Sequence, residues 1–278
     1  MDLYNTTSAA TAKLFTEKYS TSFQLASRLF DKSIRSDIYN VYGLVRIADE
    51  IVDTYNGKDA KVLLDDLEKE VYAAIGRGYS VNPIVHAFQL TANSAGITQE
   101  LIKPFFGSMR TDLGSVRLSQ KQYQDYIYGS AEVVGLMCLK VFVAGNKKQY
   151  EDLRPGAQRL GAAYQKVNFL RDFAHDSQVL KRAYFPQVNF KTFDEASKAK
   201  IIKDIEADFA AAEPYVKKLP TNARAAVATS YRYYSELLKA LQSASAKDIK
   251  TQRIRLPNGK KLAIFVQTGT SQKLLRRT

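Results

Sequence analysis

The sequence has no tryptophan, one cysteine, two histidines and only seven prolines in 278 residues. A lone Cys138 excludes an internal disulfide framework and any cysteine-rich zinc site, and it suits a reducing cytoplasm. It sits in the apolar run VVGLMCLKVFVAG, where an inert buried thiol is the expectation rather than a nucleophile. Two histidines, His86 and His175, are too few for a histidine-rich transition-metal centre. No Gly-x-Ser-x-Gly elbow, phosphate-binding loop or dinucleotide fingerprint occurs, so NADPH is not expected as a cofactor. Long apolar runs are missing as well: Lys140 interrupts the longest, well short of the roughly 20 residues that span a bilayer. The N-terminal MDLYNTTSAATAKLF shows neither basic cap nor apolar core, so no secretory leader is read there.

What is present is ordinary in bulk and uneven in detail. A hydrophobic content of 45% and a charged content of 25% describe a globular chain and rule out a fibrous or disordered one. The formal net charge of +13 is concentrated at the end of the sequence. From Ser245 onward stand Lys247, Lys250, Arg253, Arg255, Lys260, Lys261, Lys273, Arg276 and Arg277 against the single acid Asp248. The body is only mildly basic, and any account of partners must explain a cationic extension.

Apolar residues recur at spacings of three and four and strand signals are scarce, which predicts an all-α fold. Helices are expected over 7–30, 34–55, 59–77, 81–95, 98–114, 119–146, 148–176, 194–217 and 220–243, separated by Asn-Gly, Gly-x-Gly and Asn-Pro punctuation. The segment KRAYFPQVNF reads as an extended connection. No repeat or linker divides the chain, so one domain over 1–278 is expected, with 245–278 as its basic end. RIRLPNGKKLAIFVQ reads either as two short strands about a turn or as an arm followed by a last helix after Asn258; the second is favoured.

Two segments resist a reading as ordinary helix surface. In VYGLVRIADEIVDTY, Asp49 and Asp53 stand one turn apart among Ile47, Ala48, Ile51 and Val52, a poor solvated face. Taken alone, an exposed acidic patch with an Arg46–Asp49 pair explains it equally well. In GAAYQKVNFLRDFAHD, Gln165, Asn168, Asp172 and Asp176 fall at relative positions 0, 3, 7 and 11, a stripe about 80° wide on one helix face. Two helices that each offer carboxylates at this spacing suit a hard cation such as Mg²⁺, with Mn²⁺ as a substitute, sharing its shell with substrate phosphates. Arg46, Arg171, Lys181 and Arg182 are placed to clamp a diphosphate.

At this point the sequence resembles the squalene and phytoene synthase family, the head-to-head prenyl transferases. RIADEIVD resembles its first aspartate-rich motif and YQKVNFLRDFAHD the second. YIYGSAEVVGLMCL, YSTSFQLASRLF and KRAYFP resemble three further blocks in the family's order, from about Tyr19 to Pro186. The resemblance implies a helical isoprenoid synthase bundle with a central cavity. It implies that Asp49, Asp53, Asn168, Asp172 and Asp176 hold Mg²⁺. Gln165, Arg46, Arg171, Tyr42 and Arg182 would contact diphosphate oxygens. Ser20, Ser22 and Phe23 would border the site, and Tyr126, Tyr128, Val134 and Gly135 would lie near the reacting chains.

Three positions depart from the family pattern. His175 stands where an acid is usual, and is read either as an outer-shell group or as a surface histidine. Glu132 replaces a small residue and either points away from the cavity or narrows it. Glu50 is a mild change in the first motif. His86 is expected to be a partly buried helix residue rather than a catalyst, and Tyr231, Tyr233 and Tyr234 to be helix packing, with one of them a possible substrate contact.

The implied activity is condensation of two geranylgeranyl diphosphates to phytoene through a cyclopropyl diphosphate, with farnesyl diphosphate giving dehydrosqualene, squalene or presqualene diphosphate as the runner-up. A noncatalytic basic helical binder is the reading from another class. Nucleic acid is not an expected partner, because the basic residues gather in the tail while carboxylates occupy the helices. A monomer is expected, drawn by its tail to the anionic inner face of the cytoplasmic membrane.

Overall fold

The structure is a computed structural model that describes residues 2–275, with the side chains of residues 21, 22 and 268–275 outside the description. Helices supply nearly all regular structure, as the apolar spacing requires: α1 (Asp2–Tyr19), α2 (Thr21–Ser27), α3 (Lys32–Asp53), α4 (Ala60–Arg77), α5 (Pro83–Ala95), α6 (Gln99–Thr111), α7 (Gln120–Ile127), α8 (Val133–Phe142), α9 (Lys147–Arg171), α10 (Phe173–Gln178), α11 (Glu195–Lys218), α12 (Thr221–Ser243), α13 (Ala246–Thr251) and α14 (Asn258–Leu275). Their ends follow local chemistry. Asn82 caps α5 by accepting from the Ile84 N–H, with Pro83 at the first helical position, and Gly78 and Gly96 close α4 and α5 at φ of 75° and 70°.

Three long helices expected from the sequence are divided. Ser20 adopts an extended conformation and accepts from the Phe23 N–H, so it ends α1 and caps α2. The helix expected over 119–146 contains a π-helical turn at Tyr128–Glu132 and stops at Phe142. Gly129 lies in that turn against α6, where a Cβ would stand 2.4 Å from the Pro104 carbonyl oxygen. The helix expected over 148–176 bends at Asp172, so Asp176 belongs to α10. A two-residue parallel pair, β1 (Val116–Arg117) and β2 (Arg182–Ala183), was not foreseen, and it sets Val116 opposite Arg182. The end of the chain follows the arm-and-helix expectation, with α14 starting at Asn258; Arg276 and Arg277 lie outside the described residues.

Two apolar clusters form the core. One gathers α3–α6 and α8 around Phe88, Phe105, Phe106 and Leu136. The other joins α7, α9, α11 and α12 around Phe169, Leu170 and Ile205. Helix α9 borders both, through Leu153 on one side and Val167 on the other. It also meets the π-helical turn before α8 almost backbone to backbone: a Cβ at Gly161 would lie 2.7 Å from the Ala131 carbonyl oxygen. His86 is fully buried; its Nδ1 accepts from the Ser80 N–H at 3.2 Å and its Nε2 meets Asn5 Oδ1 at 2.7 Å, tying α5 to α1. Burial lowers its pKa, which fits a neutral ring in a structural role.

Candidate active site

Helix α3 carries Asp49 and Asp53 on its last turns, and the bend between α9 and α10 carries Asp172 and Asp176. The two pairs share one cleft. Burial and neighbouring Asp172 push the Asp176 carboxyl up to about 7, with Asp53 across the cleft adding to the rise. Burial, then Asp53 one turn away, push Asp49 up to about 7 in the same way. Among the described residues no three carboxylate, imidazole or thiol groups converge to ligate a single ion.

Arginines answer this negative charge. Arg46 pairs with Glu50 and lies 3.7 Å from Asp49, and its guanidinium stacks over the Tyr19 ring at 4.4 Å. Asp172 is gripped twice, by Arg171 at 3.0 and 2.5 Å and by Arg253 of the C-terminal arm at 2.6 and 3.2 Å. Arg182, only 5% exposed, donates from Nη1 to Asp53 at 2.6 Å and from Nη2 to the Val52 and Asp112 carbonyl oxygens at 2.8 and 2.6 Å.

Beside this cleft a cavity of about 340 Å³ runs between α2, α3, α8, α9 and α12. Tyr42, Gln165 and Asn168 stand among its lining with Tyr234, which donates to Asn168 Oδ1 at 3.3 Å. Tyr42 stacks on Phe23 at 5.0 Å, and burial pushes its hydroxyl up to about 12. Along α9 the lining continues from Asn168 to Leu153, and Phe30 and Phe142, stacked at 5.5 Å, line it near the Leu153 end. Cys138 is part of the wall, its thiol pushed up to about 12 by burial, which fits an inert role. A second cavity of about 210 Å³ shares Phe23, Tyr164 and Tyr234 with the first and adds Ser20, Arg171, Tyr233 and Lys261.

Most candidate residues therefore meet at one place. Phe23, Tyr42, Val134, Gly135, Gln165 and Asn168 line the large cavity, while Ser20 and Arg171 line the smaller one. The Ser22 side chain lies outside the described residues. Two tyrosines depart from expectation. Tyr126 is buried and donates to Asp112 at 2.5 Å, and Tyr128 packs against the first core cluster; neither lines a cavity. Lys181 turns to the Gln178 carbonyl oxygen instead of the cleft. Glu132 accepts from Gln158 at 2.9 Å and does not line the cavity, and His175 is exposed, 3.9 Å from Asp176.

Sequence reasoning missed Asp112, Tyr184 and Tyr19; it offers Arg253 or Arg255 as tail residues that fold back to the diphosphate, and Arg253 does reach the cleft, where it grips Asp172. Asp112 is a lone acid at the end of α6, more than fifty residues from either motif, and no local pattern marks it.

The chain matches the Squalene/phytoene synthase family model over residues 16–260. Phytoene synthase 1 of Zea mays is 28% identical over 92% of this chain and 66% of its own length. Phytoene synthase of Thermus thermophilus is 32% identical over 60% of this chain and 55% of its own, so the chain spans two thirds or less of these two relatives. Presqualene diphosphate synthase of Rhodopseudomonas palustris is 24% identical, with 92% of its length matched. In fold, a dehydrosqualene synthase crystal structure superposes with a TM-score of 0.82 at 22% identity, covering 97% of this chain and 98% of that one. A family model that spans most of the sequence, and blocks that fold into one acidic cleft beside an apolar cavity, lead to one assignment: the chain belongs to the squalene/phytoene synthase family.

Proposed function

We propose that the chain condenses two molecules of geranylgeranyl diphosphate head to head, through a cyclopropyl diphosphate, to phytoene. The observation that carries this reading is a deep apolar cavity next to a cleft of four aspartates and four arginines. From Asn168 to Leu153 the cavity follows α9 for roughly 22 Å, at about 1.5 Å per residue. An isoprene unit adds four chain atoms where a peptide residue adds three, so at the extension of a polypeptide it spans roughly 5 Å. Four units match that length, and three fall short of it.

The donor set fits Mg²⁺ or Mn²⁺. It is oxygen-only, burial and then a neighbouring carboxylate push Asp49 and Asp176 up to about 7, as crowded acids are, and substrate phosphates and water would complete the shell. Asp49 and Asp53 would hold the metal on one side, and Asp172, Asp176 and Asn168 on the other. Bound there, the metal would stabilise the negative charge of the departing diphosphate. The protein's own part is positioning and exclusion of water. Arg46, Arg171 and Arg182 lie at the cleft with donors to offer phosphate oxygens. The stacked Tyr164–Tyr234 pair, 4.0 Å apart, and the Phe23–Tyr42 pair present aromatic faces to a developing allylic cation.

A C15 reading rests on the presqualene diphosphate synthase relative matched over nearly its whole length. The deciding experiment incubates the protein with geranylgeranyl or farnesyl diphosphate, with and without Mg²⁺ and NADPH, and analyses diphosphate release and lipid products. Phytoene formed from the C20 substrate with Mg²⁺ alone is the expected result; release from neither substrate overturns the proposal.

The C-terminal helix extends the reading to a membrane. Lys260 and Lys261 on α14 accompany Leu262 and Val266, which are 55% and 51% exposed, beside the smaller cavity. This face would attract the chain peripherally to an anionic bilayer by about 1 kcal/mol per basic residue that reaches it. Sedimentation with anionic liposomes should fall sharply when residues 258–278 are removed, and equal binding by both forms rejects the role.

A further inference from the structure

Asp112 ends α6 with its side chain 5% exposed, and no sequence motif accounts for it. Its carboxylate accepts from two buried phenols, Tyr126 at 2.5 Å and Tyr184 at 2.7 Å. Its main-chain carbonyl accepts from Arg182 Nη2 at 2.6 Å. Arg182 is thus held by three means: by the β1–β2 pairing that begins four residues after Asp112, by that carbonyl, and by the nearby carboxylate.

The remaining holds on Arg182 come from the end of α3: the Asp53 carboxylate, which accepts from Nη1, and the Val52 carbonyl oxygen, which accepts from Nη2. Arg182 Nε is buried with no hydrogen-bond partner and stands 3.8 Å from Asp112 Oδ1. The guanidinium is therefore shared between two carboxylates, bonded to the one at the cleft and close to the one behind it. A buried donor without an acceptor is costly, and a short movement toward Asp112 would satisfy it. Such a movement needs Asp53 to release Nη1 and the Val52 carbonyl to yield Nη2, which keeps its bond to the Asp112 carbonyl.

We propose that Asp112 is a positioning residue, which retains Arg182 in the cleft when Asp53 turns its carboxylate to a cation, so that the guanidinium remains available to a diphosphate. The proposal rests on the reading of the cleft as a metal-diphosphate site. Tyr126 and Tyr184 are part of the device, because their two hydrogen bonds fix the direction of the Asp112 carboxylate; burial pushes that carboxyl up to about 6, with Arg182 and these two bonds offsetting part of the rise. With Asp112 uncharged, Arg182 has only Asp53 to pair with, and it competes with the cation for that side chain.

The test is calorimetric titration of the full chain with inorganic diphosphate in the presence of Mg²⁺, for the wild type, Asp112→Asn, Arg182→Met and the double variant. Asp112→Asn should weaken binding by roughly tenfold, the lower end of what loss of a group supporting a metal-site residue costs. In the Arg182→Met background the same substitution should have no further effect, because a residue acting through Arg182 is silent without it. Tyr184→Phe, which keeps the Asp112 charge, should give a smaller loss with the same dependence on Arg182 and guards against misfolding of the first variant. A purely structural residue would lower the melting temperature equally in both backgrounds and leave affinity unchanged below it. Additive losses, or unchanged affinity in both single variants at Asp112 and Tyr184, overturn the positioning role alone; no binding by the wild type overturns it together with the reading of the site.

Discussion

Asp172→Asn will slow diphosphate release from a prenyl diphosphate by roughly a thousandfold at saturating substrate, because a metal's stabilisation of a departing oxyanion is worth several kcal/mol and each 1.36 kcal/mol is a factor of ten. The substitution nearly preserves shape and leaves one carbonyl oxygen to accept from Arg171 or Arg253, both of which now bond the carboxylate. On the proposed function, loss of the negative charge would remove a metal ligand and leave Arg171 and Arg253 to share one carbonyl oxygen. Turnover should therefore collapse while substrate binding does not weaken in proportion, and KM should change much less than kcat. Steady-state assays across a Mg²⁺ series provide the check. A variant within a few fold of wild type would show that Asp172 holds no metal in the reaction, and the cleft would need another account.

The parts of this site that were legible in the sequence are those written in local spacing. Asp49 and Asp53 lie one turn apart, Gln165 and Asn168 lie on one face, and each pair needs only the helical period to be seen together. Contacts made across the fold left no such trace. Asp112 meets Tyr184 seventy-two residues later, and Arg253 reaches back eighty-one residues to Asp172. Tyr128 stands outside both cavities for a physical reason. On a continuous α-helix, Tyr128 and Gly135 are seven residues apart and share a face, so both would line the cavity. The π-helical turn at Tyr128–Glu132 lengthens the path by about one residue, roughly 100° of rotation relative to Gly135, and Tyr128 lines neither cavity. The bend at Asp172 is of the same kind: the stripe was real through Asp172, and the backbone then redirected Asp176 without removing it from the cleft.

The second large effect is on stability, and it arises behind the cavity wall. Lys166, 8% exposed on α9 next to Gln165, forms ion pairs with Asp208 at 2.7 Å and Asp204 at 2.6 Å on α11. Asp208 is 3% exposed and is reached by Arg159 as well, at 3.0 Å. Breaking one partner of a buried pair costs about 3–5 kcal/mol, because the remaining charge is left desolvated. Asp208→Ala should fall near 3, since Asp204 still holds Lys166 from the more exposed side. With an unfolding entropy of about 2.1 cal/mol/K per residue, a loss of 3 kcal/mol in a chain of this size lowers the melting temperature by roughly 5 °C. The paired change Lys166→Met with Asp208→Leu should recover most of that loss, because well-packed apolar groups replace a buried pair at little net cost. Thermal unfolding of the single and double variants distinguishes the two outcomes: a double variant as unstable as Asp208→Ala would mean that the helices depend on the charges themselves. Neither Lys166 nor Asp208 lines a cavity, so at temperatures well below melting both variants should retain turnover. That separation matters for the site, since α9 carries the cavity wall on one face and this pair on another, and a kinetic loss without a thermal one would show that the pair sets the position of Gln165 and Asn168 rather than the stability of the fold.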